Sequence, residues 1–253
     1  MNKVFTSFDE AVADIFDGAT VMVGGGCQRP RGVPRNLLLA LQRKGVRNLT
    51  LITPAGSRGG MTIGPDGKPK LLSIVGYTRF PHAENWLDHD ILTHNRQVKK
   101  IICSIAFIPG RETVLQKMYE AGEVEMEQTG HGTLATRIWA GGAGIGGFYC
   151  PVGVGTLLEE GKEKRIIDGK EYLFETPLKA DFALIWAYKA DKIGNLVYRG
   201  TSRQFAPLMA KAAKVTIAEV YEILEPGELD PESIVTPGIY VHRIIQTPEE
   251  DKR

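Results

Sequence analysis

Short apolar runs alternate with amphipathic stretches over the first half of the chain, and turn residues mark each changeover. Ser7-Phe8-Asp9-Glu10 reads as a capping box, and Phe8, Ala11, Val12, Ile15 and Phe16 keep helical spacing until Asp17-Gly18. Residues 19–23 form a compact apolar run, as expected of a strand covered on both faces. Pro34 stands at the first turn of a helix through residues 36–41 that Gly45 closes, and residues 49–52 return to strand. Strand, helix and strand in this order predict an α/β fold, with a mostly parallel open sheet and flanking helices.

Residues 53–97 break the rhythm with Ser57-Arg58-Gly59-Gly60, Pro65-Asp66-Gly67-Lys68-Pro69 and many other polar and turn residues. They are expected as a long irregular insertion, which in a compact fold signals a functional loop or a mobile one. Regular spacing then predicts strands at 100–105 and 124–126, helices at 111–121 and 134–139, and a break at the glycine-rich residues 141–147. Further strands are expected at 172–174, 182–186, 196–198, 214–218 and 239–244, with an alanine-rich helix at 207–213 and a frayed charged tail at 248–253. No repeat or low-complexity linker divides the chain, so residues 1–253 are expected to form one domain.

A formal charge of +1 offers no basic excess to neutralise a phosphate backbone, which argues against nucleic acid as a partner. Cys27, Cys103 and Cys150 are widely separated and cannot all pair within the chain, which favours a reducing compartment and predicts a cytoplasmic protein. The N-terminus has no apolar signal core, and no apolar stretch approaches the roughly 20 residues that span a bilayer, so no membrane role is expected.

Two motifs invite ligands that their context does not support. Gly142-Ala143-Gly144-Ile145-Gly146-Gly147 satisfies Gly-x-Gly-x-x-Gly, yet it follows a helix and runs into Phe148-Tyr149, where a dinucleotide site needs a strand before it and a helix after it. His82, Glu84, Asp88, His89, Asp90 and His94 include good metal ligands, but their spacing matches no familiar zinc or iron framework, so no metal is expected. Gly-x-Ser-x-Gly, a paired Cys/His arrangement and a Walker loop are all missing.

Glycines at 24, 25 and 26 directly follow the strand at 19–23, and strand ends are where open α/β sheets bind ligands. Asp17-Gly18, Val21-Met22-Val23, Gly24-Gly25-Gly26 and Gly32-Val33-Pro34 together resemble the N-terminal signature of the α subunit of family I 3-oxoacid CoA-transferases, in the NagB/RpiA-like superfamily. Gly130-His131-Gly132-Thr133-Leu134-Ala135-Thr136-Arg137-Ile138 and Ala140-Gly141-Gly142-Ala143-Gly144 are similar to that family's Gln-Gly-Thr-Leu-Ala-Glu-Arg-Ile and Ala-Gly-Gly-Ala-Gly segments. The likeness continues in order through Phe148-Tyr149, Ala180-Asp181-Phe182, Gly194-Asn195-Leu196 and Thr236-Pro237-Gly238, and covers nearly everything outside 53–97. Three departures stand out: Gly26 replaces a phenylalanine, residues 27–31 lengthen the loop, and His131 replaces a glutamine.

The resemblance implies an α subunit without its own nucleophile, since the family uses a glutamate of the β half; Glu84-Asn85 here is followed by Trp86 rather than the glycine of that half's Glu-Asn-Gly. It implies a β-subunit partner in an α2β2 assembly, no permanently bound cofactor, and coenzyme A, an acyl-CoA and a small carboxylic acid as substrates. Candidate substrate-binding residues are Gly24, Gly25, Gly26, Arg29, His131, Gly132, Thr133, Gly144 and Phe148, with His131 as an auxiliary to catalysis and Arg31 and Arg58 near the entrance. Histidine is also a competent general base near neutral pH, which leaves a CoA-dependent hydrolase that opens or cleaves a CoA-linked keto acid as an alternative. A non-catalytic sensing module is a third reading, because the broad fold serves several functions.

Overall fold

The computed structural model describes residues 3–24, 32–56, 61–63, 69–71, 89–107 and 113–252. In chain order, β1 (Val4–Phe5), α1 (Phe8–Ala11), β2 (Thr20–Val23), α2 (Arg35–Lys44) and β3 (Leu49–Ile52) open the fold. A hairpin of β4 (Met61–Ile63) and β5 (Pro69–Leu71) precedes α3 (Asp90–His94), β6 (Val98–Cys103), α4 (Val114–Glu120), β7 (Glu125–Gln128) and α5 (His131–Ala143). Then come β8 (Phe148–Cys150), β9 (Lys164–Ile167), β10 (Lys170–Glu175), β11 (Ala180–Asp191), β12 (Leu196–Val197), α6 (Ala206–Ala212), β13 (Ala213–Leu224) and β14 (Arg243–Gln246).

Among these residues the main sheet has nine strands, ordered β1-β14-β13-β11-β2-β3-β6-β7 with β12 paired to β11. Every pairing along that path is parallel, and only β12 runs antiparallel. The period-two alternation of strand side chains sorts the core into two layers. Val21, Leu51, Ile101, Leu184 and Ile217 belong to one cluster with α2 and α4, while Met22, Ile52, Ile102, Ala183 and Ala218 belong to the other with α5 and α6. Both faces are covered, which is why these strands read as unbroken apolar runs.

The expected helix at the N-terminus is present but short. Ser7 accepts the Glu10 amide as predicted, yet past Ala11 the bonds shorten to Ala13 N to Glu10 O and Ile15 N to Val12 O. These turns still bury Val12 and Ile15, so the apolar spacing was satisfied without a continuous helix. The strand expected at 239–244 starts later, at Arg243, because residues 238–240 wind into a single 3-10 turn. The turn packs tightly against its neighbour, since a Cβ at Gly238 would stand 2.4 Å from the Ile193 carbonyl oxygen. Residues 141–143 were expected as a break but are helical, and Gly144 at φ +73° ends α5. Within 53–97, the described residues include the β4–β5 hairpin, α3 and a bridge from Ala55 to Ile105, so the segment carries elements that its polar composition concealed.

A buried carboxylate ties α2 to the sheet. Glu219 on β13 accepts the backbone amides of Asn36 and Leu37 and the Asn36 side chain, which supplies the cap that Pro34 cannot.

Candidate functional site

The C-terminal ends of β3, β6 and β7 converge where α5 begins. Thr129 donates its amide to the Cys103 carbonyl oxygen and so prolongs the β6–β7 pairing; Gly130 then caps α5, and His131 is its first residue. A side chain at Gly130 would meet Val152 at 2.7 Å, so glycine lets the chain turn under the loop that follows β8. The first intrahelical bond runs from Leu134 N to Gly130 O at 2.8 Å, which places the amides of His131, Gly132 and Thr133 ahead of the helical ladder. An anion is favoured at such an end, by those donors and by the helix dipole together.

His131 is exposed, and its ring is held from two sides. Nδ1 lies 2.6 Å from Ser104 Oγ, and the ring meets Phe205 edge-on at a centroid distance of 5.1 Å. Ser104 Oγ also donates to the Pro54 carbonyl oxygen at 2.6 Å, linking the ends of β3 and β6 to α5. Behind His131, the buried Thr133 hydroxyl faces Cys150 Sγ at 3.8 Å. Burial pushes the Cys103 thiol, next to Ser104, up to about 11, so it remains neutral.

Arg137, two turns along α5, fixes the helix in place. It donates to Glu127 on β7 at 2.8 Å and to the Thr176 carbonyl oxygen at 2.7 Å, and lies 3.7 Å from the buried Glu175. Burial raises the Glu127 carboxyl, but hydrogen bonds from Arg137 and Lys100 outweigh that and leave it below its ordinary value.

His131, Gly132 and Thr133 stand together at the head of α5, which begins three residues before the expected start at 134. Gly24 plays a different part from the one expected: its amide donates to the Leu184 carbonyl oxygen at 2.8 Å and is therefore committed to the sheet. Glycine is needed there because a Cβ would lie 2.9 Å from Ile185. Gly144 stops α5 at the end opposite His131, roughly 20 Å along a helix of this length. Phe148 opens β8, paired with Glu175, and it is Cys150 at the other end of that strand that faces Thr133. Gly25, Gly26, Arg29, Arg31 and Arg58 lie outside the described residues, as do His82, Glu84 and Asp88. His89 is buried with Nε2 3.0 Å from the Gly56 carbonyl oxygen, and among the described residues no cluster of three or more ligating side chains could hold a metal. Among the described residues no helix is long and apolar enough to cross a membrane. Ser104, Pro54 and Phe205 were missed; Ser104 had one signal, a small polar residue near the end of the apolar strand expected at 100–105.

The family model described as Coenzyme A transferase matches residues 67–247. The chain is 42% identical to the A subunit of the 3-oxoadipate CoA-transferase of Pseudomonas putida, over 97% of its own length and 94% of that protein's. It is 39% identical to the A subunit of the succinyl-CoA:3-ketoacid coenzyme A transferase of Helicobacter pylori, covering 100% of this chain and 96% of the relative. Among solved structures, the acyl-CoA transferase YdiF of E. coli O157:H7, a thioester complex with CoA, superposes with a TM-score of 0.76 at 21% identity. That alignment covers 99% of this chain and 48% of YdiF, so the chain spans about half of that protein and the likeness is one of fold.

Proposed function

The chain belongs to the coenzyme A transferase family, and on that footing we propose that it is the α subunit of a two-subunit enzyme that moves CoA from an acyl-CoA to a small 3-oxo or related carboxylic acid. The observation that carries this is the end-to-end correspondence, at 42% identity, with one half of a two-part CoA-transferase. Both relatives are named as the A subunit of their enzyme, which supports a β partner here; the assembly we propose is α2β2. The free thiols of Cys103 and Cys150 support a reducing compartment such as the cytoplasm.

The reaction divides one acyl transfer into steps through a carboxylate nucleophile. A glutamate carboxylate of the β partner attacks the thioester carbonyl, the C–S bond breaks, and an acyl-glutamyl anhydride forms with CoA thiolate released. The thiolate attacks the glutamyl carbonyl, expels the donor acid and leaves a glutamyl-CoA thioester. The acceptor carboxylate then attacks that thioester, and the thiolate returns to the acceptor's carbonyl, which regenerates the glutamate.

What this chain contributes is a place for the acid and for charge on oxygen. The amides of His131, Gly132 and Thr133 and the His131 ring sit where a carboxylate or a developing oxyanion gains most from aligned donors. The hydrolase alternative draws on His131 as a base, but the full-length relatives carry transferase names, which favours transfer. Co-purification from the host, then borohydride treatment in the presence of an acyl-CoA and mass spectrometry, tests the proposal. A reduced glutamate on a co-purifying subunit is expected; a chain that emerges alone, or a partner without a modified glutamate, contradicts it.

A further inference from the structure

The single hydroxyl hydrogen of Ser104 decides the protonation pattern of His131. Ser104 Oγ lies 2.6 Å from the Pro54 carbonyl oxygen and 2.6 Å from His131 Nδ1. A carbonyl oxygen only accepts, so the first contact is a hydrogen bond when Ser104 donates it. Its lone pairs then face His131, and the hydrogen in the second contact has to come from Nδ1. With the roles reversed, two oxygen atoms would confront each other at 2.6 Å with no hydrogen between them. We propose that Ser104 is a positioning residue that holds neutral His131 as the Nδ1–H tautomer, so that Nε2 meets a bound acid as a lone pair until it gains a proton, a step that rests on the acid-binding role proposed above.

Acid binding and proton uptake are thereby linked. Held this way, neutral imidazole accepts at Nε2 and repels a carboxylate, whereas imidazolium donates from Nε2 and adds a positive charge. Among the described residues, the titratable groups on the elements around His131 are Lys99, Lys100 and Cys103 on β6, Glu125 and Glu127 on β7, Arg137 on α5, Tyr149 and Cys150 on β8, Arg203 ahead of Phe205, and Lys211 on α6. Lys100 and Arg137 both pair with Glu127, Tyr149 donates to Glu163, and Cys103 is held neutral by burial.

Ring-nitrogen-labelled histidine in the full chain, read by long-range proton–nitrogen NMR under conditions that keep the rings neutral, shows which nitrogen carries the hydrogen. His131→Gln removes one of the five histidine patterns and so assigns it. Wild type is expected to show a protonated Nδ1 and a bare Nε2, Ser104→Ala to shift toward Nε2–H, and Ser104→Thr, which keeps the hydroxyl, to restore the wild-type pattern. A bare Nδ1 in the wild type, or a tautomer indifferent to Ser104→Ala, overturns the proposal. In the transfer assay with the co-purified partner, KM for the acid should rise with pH in the wild type, with kcat changing less, and stay flat in His131→Gln. A wild-type KM that ignores pH also overturns it. Absence of transfer beside the expected tautomer would instead remove the functional reading and leave the Ser104 assignment standing.

Discussion

Glu219 Oε2 accepts the Asn36 backbone amide at 2.9 Å, while its Oε1 accepts the Asn36 side chain at the same distance. A residue of the central sheet thus caps the helix that follows the glycine loop. The Leu37 amide and the Thr247 hydroxyl complete four donors around one buried carboxylate.

Burial pushes the Glu219 carboxyl from its ordinary 4.5 up to about 7, and the four donors pull against that rise. A folded-state value above the unfolded one means that the native protein binds the proton more tightly, so this group's contribution is fully present below the ordinary value and is lost as pH rises through about 7. Urea midpoints measured at about pH 5 and about pH 8 should therefore show a drop in the wild type that shrinks in Glu219→Gln.

Asp14 gives the opposite slope. The side-chain hydrogen bond from Arg243 holds its carboxyl below the ordinary 3.8, with contacts of 2.6 and 2.5 Å. That contribution is present above the ordinary value and vanishes as pH falls through the lowered one. Asp14 is largely exposed, so Asp14→Asn should cost no more than about 1 kcal/mol near neutrality. In acid titrations followed by circular dichroism, the variant and wild type should converge at the acid end.

The glycines of α5 differ sharply in what they tolerate. A Cβ at Gly141 would stand 1.9 Å from the Leu178 carbonyl oxygen, whereas one at Gly132 meets nothing within 4 Å. Gly141→Ala should therefore destabilise by about 3 kcal/mol through forced displacement of α5. Gly132→Ala should be neutral or stabilise by up to about 1 kcal/mol, since alanine favours the helix. Thermal unfolding of the two variants separates these outcomes.

His131→Ala removes the ring, and the charge it carries when protonated, from the head of α5 and should raise KM for the acid more than it lowers kcat. His131→Gln, which keeps a donor of similar reach, should retain transfer to within about tenfold. Steady-state kinetics with the β partner present read both; an unchanged KM in the alanine variant would take His131 out of the acid site.

The parallel sheet was legible because doubly buried strands leave unbroken apolar runs, as in residues 19–23 and 182–186. Residues 130–133 stood out only through their resemblance to a family segment, and the helix was placed too late because two glycines hid its first turn. The partners of His131 were not legible. Ser104 and Phe205 lie 27 and 74 residues away along the chain, and only the parallel alignment of β3, β6 and β7 with α6 alongside brings them to the ring. Gly24 misled because glycine after a strand serves two needs, an open amide or close packing, and here it serves the second.

The most direct test of a carboxylate-to-carboxylate transfer is to follow oxygen. The co-purified complex would be given an unlabelled acyl-CoA and an acceptor acid whose carboxylate carries heavy oxygen, and both acids would be analysed after many turnovers. An anhydride passing through the β-subunit glutamate leaves one acceptor oxygen on that glutamate, which the next donor acid carries away. The account predicts labelled donor acid and no accumulation of free CoA; donor acid with oxygen from the solvent, released together with free CoA, would contradict it and make the enzyme a hydrolase.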